Sequence, residues 1–280
     1  MDKHKPDSKP EQPPMHRMHQ LPLAITRFIA DATLIADDIG ESPSNVYRFS
    51  KGGEHFFLKT SSPVLASTTY SVKREAQALQ WLSGRIGVPE LVAVADNEYG
   101  EAMITRAVPG VPLSARIAAG QPVSHLFLEA LRQLQALPTH DCPLHAGAAM
   151  RLRELEYLVS QNLHAQEYEL DQWPGLHSMQ DLINLLHATL PAENPQDLVF
   201  AHGDLGDSNV FVDERDQLYF IDLGRAGLAD RWMDIAFAHR NLREEVSDKV
   251  ANEFLASLAS LGYADAPAKR EFFMQLDELF

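Results

Sequence analysis

The sequence predicts an α+β chain in two lobes: a small β-rich N-terminal lobe with one helix, a hinge, and a larger, mainly helical C-terminal lobe. Three observations carry this. Between Ala24 and Val108, short alternating apolar and polar runs surround a single stretch with helical spacing. Val108-Pro109-Gly110-Val111-Pro112 then forms a stiff connector. Beyond it, apolar residues recur mainly at helical intervals. The boundaries expected are a tail over 1–20, the first lobe over 21–107 and the second over 108–280.

In the first lobe, Asn45 to Phe49 alternates as a strand does, Lys51-Gly52-Gly53-Glu54 is a hairpin turn, and Glu54 to Lys59 returns. Residues 72–86 read as the helix, with Val72, Ala76, Leu79, Leu82 and Ile86 on one face and Gly87-Val88-Pro89 as its stop. Leu91 to Ala95 and Glu101 to Thr105 read as two further strands around Asp96–Gly100. In the second lobe, helices are expected over 126–137, 150–163, 177–190, 231–242 and 248–261. An apolar run at Leu198-Val199-Phe200 precedes a turn-rich segment, and Asn209–Val212 with Leu218–Ile221 reads as a short hairpin.

The first 20 residues carry Lys, His, Pro, Gln and Met but no apolar stretch, so they read as a solvated tail, with Met15 or Met18 as alternative starts. Metal binding by His4, His16 and His19 is the rival reading of that tail. No apolar run approaches the roughly 18 residues a membrane span requires. The single cysteine, Cys142, excludes an internal disulfide and, with no signal segment, points to the cytoplasm. Cys142 lies in a loop-like stretch and reads as passive. The formal net charge of -15, with eight Asp or Glu against three Lys or Arg over 244–280, repels nucleic acid and anionic lipid and attracts cations. Ordinary solubility explains the same charge, which by itself decides nothing.

The chemistry concentrates in His202-Gly203-Asp204-Leu205-Gly206-Asp207-Ser208-Asn209 and Phe220-Ile221-Asp222-Leu223-Gly224-Arg225. Asp204 precedes Asn209 by the offset that separates carboxylate and amide in the catalytic loop of kinases. Such a turn aims one carboxylate at an attacking hydroxyl and one amide oxygen at a metal; Asp222 supplies a second hard oxygen ligand for magnesium. A lone Asp is most often a turn or cap residue, but here His202, Gly203, Asp204, Asn209, Asp222 and Gly224 fall in register. Lys59 ends an apolar strand and Glu75 follows in the helix, a pairing suited to donor phosphates. Taken alone, a snorkelling lysine beside an ordinary helix glutamate is the commoner reading, and the pair gains weight only because Asp204 and Asp222 lie downstream. Asp234 lies amid apolar groups and is expected to brace the motif turn. Ile39-Gly40-Glu41-Ser42-Pro43-Ser44-Asn45 holds one glycine and reads as either a phosphate-covering loop or a plain β-turn. With the two-lobed pattern, these features make a bilobal protein-kinase-like fold. A peptide substrate is disfavoured, because no activation segment separates Asp222 from the helix near Arg231.

HGDLGDSN, FIDLGRAG, ADRWMDIAF and the terminal LDELF, with SPSNVYRF, FFLKT, TTYSVKRE, DCPL and LVFAHGD, resemble the aminoglycoside 3′-phosphotransferases from about Ile25 to Phe280. The resemblance implies ATP as donor, with GTP left open, and magnesium. It implies Asp204 as catalytic carboxylate and Asn209 and Asp222 as metal ligands. Lys59, held by Glu75, would meet the α and β phosphates and Ser42 the β phosphate. Phe57 would stack near the adenine, with Thr105 to Val108 at the base edge. For the antibiotic it implies Asp207, Arg225, Glu244, Glu245, Glu278 and the carboxylate of Phe280. The loop around Glu167, Glu169 and Asp171 departs from the family apart from Trp173, and Arg106 stands where a small or acidic hinge residue is expected.

The sequence-level reading is thus an ATP-dependent kinase for the 3′-hydroxyl of kanamycin- and neomycin-type antibiotics, a monomer or weak dimer with no nucleic-acid or membrane partner. A kinase for another small alcohol (amino alcohol, sugar or macrolide) and a non-enzymatic nucleotide-binding scaffold are the alternatives.

Overall fold

The computed structural model describes residues 19–37, 43–164, 170–259 and 262–280. They group into two compact units. One comprises residues up to Gln80 with Pro89–Ala107; the other comprises Trp81–Val88 with Val108–Phe280. No helix among the described residues is long and apolar enough to cross a membrane.

The first unit is an antiparallel sheet of β1 (Ile35–Ala36), β2 (Asn45–Lys51), β3 (Glu54–Ser61), β4 (Leu91–Asn97) and β5 (Gly100–Arg106) in the order β1-β2-β3-β5-β4. The β2–β3 hairpin closes where expected. Lys51 pairs with Glu54, and Gly52 and Gly53 take φ of 61° and 82°, the left-handed pair that matches strand twist. Phe56 and Leu58 of β3 join Phe49, Ala102 and Ile104 in a buried cluster, while the alternate residues Phe57, Lys59 and Ser61 fall on the opposite side of the strand.

That cluster is completed by a helix the sequence reading did not contain. α1 (Leu23–Ile29) buries Ile25 and Ile29 completely, and Phe28 meets Phe49 and Phe56 edge-on at 6.4 and 5.3 Å. Burial of each isoleucine contributes about 1.5–3 kcal/mol. At seven residues, rich in β-branched and aromatic side chains, the segment carries a strand-like local signal, and tertiary packing overrides it. The first unit therefore holds α1 beside most of the expected helix, α2 (Val72–Leu82), whose last two residues are assigned to the second unit. α2 stops before Ile86, because Gly84 turns to φ 76° and the Arg85 N–H closes back on the Leu82 carbonyl at 2.9 Å.

The second unit follows with β6 (Val111–Pro112), α3 (Leu113–Ala118), α4 (Ser124–Gln135), α5 (Ala148–Ser160) and α6 (Met179–Thr189). Then come β7 (Leu198–Ala201), β8 (Val210–Val212), β9 (Leu218–Phe220), β10 (Gly227–Asp230), α7 (Trp232–Glu245), α8 (Asp248–Leu258) and α9 (Pro267–Asp277). The strands form two small antiparallel sheets, β6-β8-β9 and β7-β10. α7 is the central helix: Trp232 through His239 are all buried. Ser178 and Ser247 cap α6 and α8 by accepting the N–H groups of Asp181 and Val250. α3, α9 and β10 were not read from the sequence; each is short or interrupted by charge.

Candidate active site

The site in the second unit is built on turns. β7 delivers His202, fully buried, and Gly203 at φ 80°. A side chain on Gly203 would lie 2.3 Å from the Arg225 carbonyl oxygen, so position 203 requires glycine on both conformational and steric grounds. Asp234 of α7 accepts the N–H of His202 at 2.7 Å and of Gly203 at 2.9 Å, the bracing role expected of it. Burial pushes the Asp234 carboxyl above its ordinary range, with His202 and these two N–H groups pulling the other way. His202 Nε2 donates to the Ile221 carbonyl at 2.9 Å, since a carbonyl can only accept. The Ile221 N–H in turn donates to the Asn209 carbonyl at 3.0 Å.

These bonds bring the two halves of the motif together. Asn209 Nδ2 donates to the Asp204 carbonyl at 2.9 Å and to its carboxylate Oδ2 at 3.2 Å. Asp222 sits in the left-handed region (φ 55°, ψ 57°), an uncommon state for a residue with a Cβ, and opens the short turn Leu223–Arg225. Arg225 Nη1 stands 3.9 Å from Asp204 Oδ1. About 36% of the Asp204 side chain remains open to water, yet protein surrounds the carboxyl closely enough that desolvation pushes it upward. Arg225 opposes that shift, and Asp277 and Asp222 reinforce it.

The residues expected on the acceptor side divide. Arg225 donates to Asp277 Oδ1 at 3.3 Å and to the main-chain oxygen of Phe280 at 3.1 Å. The Phe280 ring lies under the Arg151 guanidinium at 3.9 Å. Arg240 takes the other oxygen of Asp277 and stands 4.0 Å from Glu244. Glu244 also accepts from Arg243 at 3.2 Å. Glu278 adds to the negative field on Arg240. Asp207 accepts from Asn241 at 3.1 Å, and Glu245 is exposed at the end of α7. Asp277, Arg240 and Asn241 stand in contact with these residues, and the sequence reading did not single them out. Asp277 adjoins Glu278 within LDELF, and Arg240 precedes Glu244 by one helical turn, which were the available signals.

In the first unit, Lys59 Nζ donates to Glu75 Oε2 at 2.7 Å with both side chains largely covered. Phe57 and Thr105 are register partners across β3 and β5. Arg106 is claimed within the unit by Glu54 and by Glu90 at 2.9 Å; these hydrogen bonds raise its pKa further, and it lies over the Phe56 ring. Val108 belongs to the second unit, and Ser42, Glu167 and Glu169 lie outside the described residues.

Residues 34–273 match the phosphotransferase enzyme family. The chain is similar to an aminoglycoside 3′-phosphotransferase of Acinetobacter baumannii, with 40% identity over 93% of this chain and 99% of that one. It is 32% identical to one of Enterococcus faecalis over 91% of this chain and 97% of that one. Among solved structures, the aminoglycoside-3′-phosphotransferase of type VIII superposes with a TM-score of 0.79 at 28% identity, covering 95% of this chain and all of that one. The family match takes in parts of both units and most of the chain, so the chain belongs to the phosphotransferase enzyme family, among its aminoglycoside 3′-phosphotransferases.

Proposed function

We propose that the protein transfers the terminal phosphoryl group of ATP to the 3′-hydroxyl of aminoglycoside antibiotics of the kanamycin and neomycin type, in the cytoplasm, and so confers resistance. The observation that carries the reading is the Asp204 turn. A carboxylate raised above its usual range, held by Asn209 and faced by Arg225, suits a base that accepts a hydroxyl proton. In that step the hydroxyl oxygen attacks the γ-phosphorus, the bond to the β–γ bridging oxygen breaks, and ADP leaves.

Asn209 and Asp222 fit magnesium. Asn209 commits its amide nitrogen to Asp204, which leaves its oxygen as the ligand atom. No group of three or more His, Cys, Asp or Glu that could hold a metal stands together among the described residues. Asn209 and Asp222 would offer such a cation two protein oxygens. Bound there, magnesium supplies charge neutralisation on the donor's phosphate oxygens. Lys59, steadied by Glu75, serves the α and β phosphates, and Phe57 with Thr105 to Val108 the adenine. Asp207, Glu244, Glu245, Glu278 and the Phe280 end receive the ammonium groups of the drug through charge-assisted hydrogen bonds.

A coupled ADP-release assay tests this reading. Wild type is expected to turn over kanamycin but not an analogue lacking the 3′-hydroxyl, and Asp204→Ala to lose about 10²–10⁴ in kcat. Undiminished turnover by Asp204→Ala would refute it.

A further inference from the structure

We infer that Glu101 is a positioning residue for the donor half of the reaction: its buried carboxylate fixes the first turn of α2, and thereby sets Glu75 against Lys59. The inference rests on the reading of Lys59 as a phosphate contact.

A helix begins with four N–H groups that have no partner within it. In α2 all four are satisfied. The Val72 N–H donates to Ser61 Oγ at 3.3 Å, Lys73 N–H to Glu101 Oε2 at 3.1 Å, and Arg74 N–H to Ser71 Oγ at 3.2 Å. The fourth, the N–H of the N-cap Ser71, donates to the Thr68 carbonyl at 3.2 Å, and the Glu75 N–H makes the first bond of the helix itself, to the Ser71 carbonyl at 3.1 Å. Glu101 Oε2 collects two further donors, the hydroxyls of Ser71 at 2.8 Å and Ser61 at 3.2 Å. One carboxylate oxygen thus gathers the two serines that cap the helix as well as a helix N–H. Negative charge at a helix start is also favoured by the helix dipole.

The placement of this cap gives it a role beyond holding a helix end. Ser61 and Glu101 face each other in the β3–β5 register, and Lys59 lies two residues from Ser61 on the same side of β3. Glu75 lies two residues beyond Lys73 in the same helical turn. Strand, cap, helix and the 2.7 Å Lys59–Glu75 pair therefore form one closed circuit. An ordinary cap frays the first turn when removed. Here, losing the cap also displaces the carboxylate that orients Lys59.

Steady-state kinetics of the full chain, with ATP varied at saturating kanamycin, tests the assignment, supported by thermal midpoints and calorimetric ATP binding. Glu101→Gln is expected to raise the KM for ATP roughly three- to tenfold, with a smaller change in kcat and none in the KM for kanamycin. The same change should add nothing further in a Lys59→Ala background. If Glu101→Gln does not fold, Ser71→Ala, which removes the shortest of these bonds, is expected to act in the same direction. A lowered thermal midpoint with an unchanged KM for ATP would overturn the inference, as would an equal rise in the Lys59→Ala background. Lys59→Ala without effect on ATP would instead remove the premise that Lys59 meets the donor.

Discussion

The sheet unit and the helical unit hold their chemical groups in opposite ways. Lys59 and Glu75 sit on a strand and a helix, elements whose backbone bonds are complete in themselves, and their pairing needs one cap at the helix start. Asp204, Asn209 and Asp222 sit on turns, one of them left-handed, that keep their shape only because distant groups satisfy them. Asp234 reaches in from α7, His202 bridges to Ile221, and Gly203 admits the Arg225 carbonyl. The comparison teaches that the turn carrying the proposed base, Asp204, is placed by buried polar bonds, and the proposed phosphate contact, Lys59, by regular structure. Damage to the two halves should therefore differ in kind.

The largest effect is expected at Asp234. Asp234→Ala strands two buried N–H groups, each costing about 1–3 kcal/mol, and releases the turn that carries Asp204. Thermal unfolding should show a large drop in midpoint together with a collapse of kcat. Glu75→Gln, which keeps an acceptor beside Lys59 on a regular element, should leave the midpoint far less changed. Comparable losses of stability at the two positions would break the contrast.

Arg225→Ala comes next. In the proposed role Asp204 must be ionised to accept a proton, so activity is expected to fall as pH drops through its raised pKa. Arg225 is the nearby cation that opposes the rise, and its loss should move the acid limb of kcat/KM to higher pH. An acid limb that stays in place would show that Arg225 serves only Asp277 and Phe280.

The smallest effect is expected at His239, buried in α7 away from the motif turns. Burial, with Arg270 and Arg243 adding and Asp265 and Asp248 opposing, lowers its pKa from 6.5 to about 4. Between those values the unfolded chain takes up a proton that the fold refuses, so stability is lost as pH falls through this window. In His239→Leu the loss over pH 6.5 to 4 should be shallower, with kcat unchanged. An identical pH profile of stability would contradict this.

The same contrast explains what was legible in the sequence. The β2–β3 hairpin declared itself through Gly52 and Gly53, and the Lys59–Glu75 pairing gained weight only from Asp204 and Asp222 downstream. The Asp204–Asn209 turn was legible because its local offset is fixed by the chemistry. Asp234 was readable as a buried acid that needed partners. What escaped depends on contacts distant in sequence. α1 is ordered by Phe49 and Phe56 rather than by its own propensity. Asp277 gains its role only when α9 brings it to Arg225 and Arg240. The cap on α2 requires β5 to place Glu101 beside Ser61. Arg106, read as a hinge residue out of place, is explained by Glu54 and Glu90.

The central claim is that the Asp204 turn directs phosphoryl transfer to one particular sugar hydroxyl. Phosphorus and proton NMR of the product from kanamycin and ATP tests it most directly. The account predicts a single phosphate ester on the 3′-oxygen, absent when Asp204 is replaced by alanine. A phosphate on any other oxygen, or the same ester formed at an equal rate by the alanine variant, would contradict it.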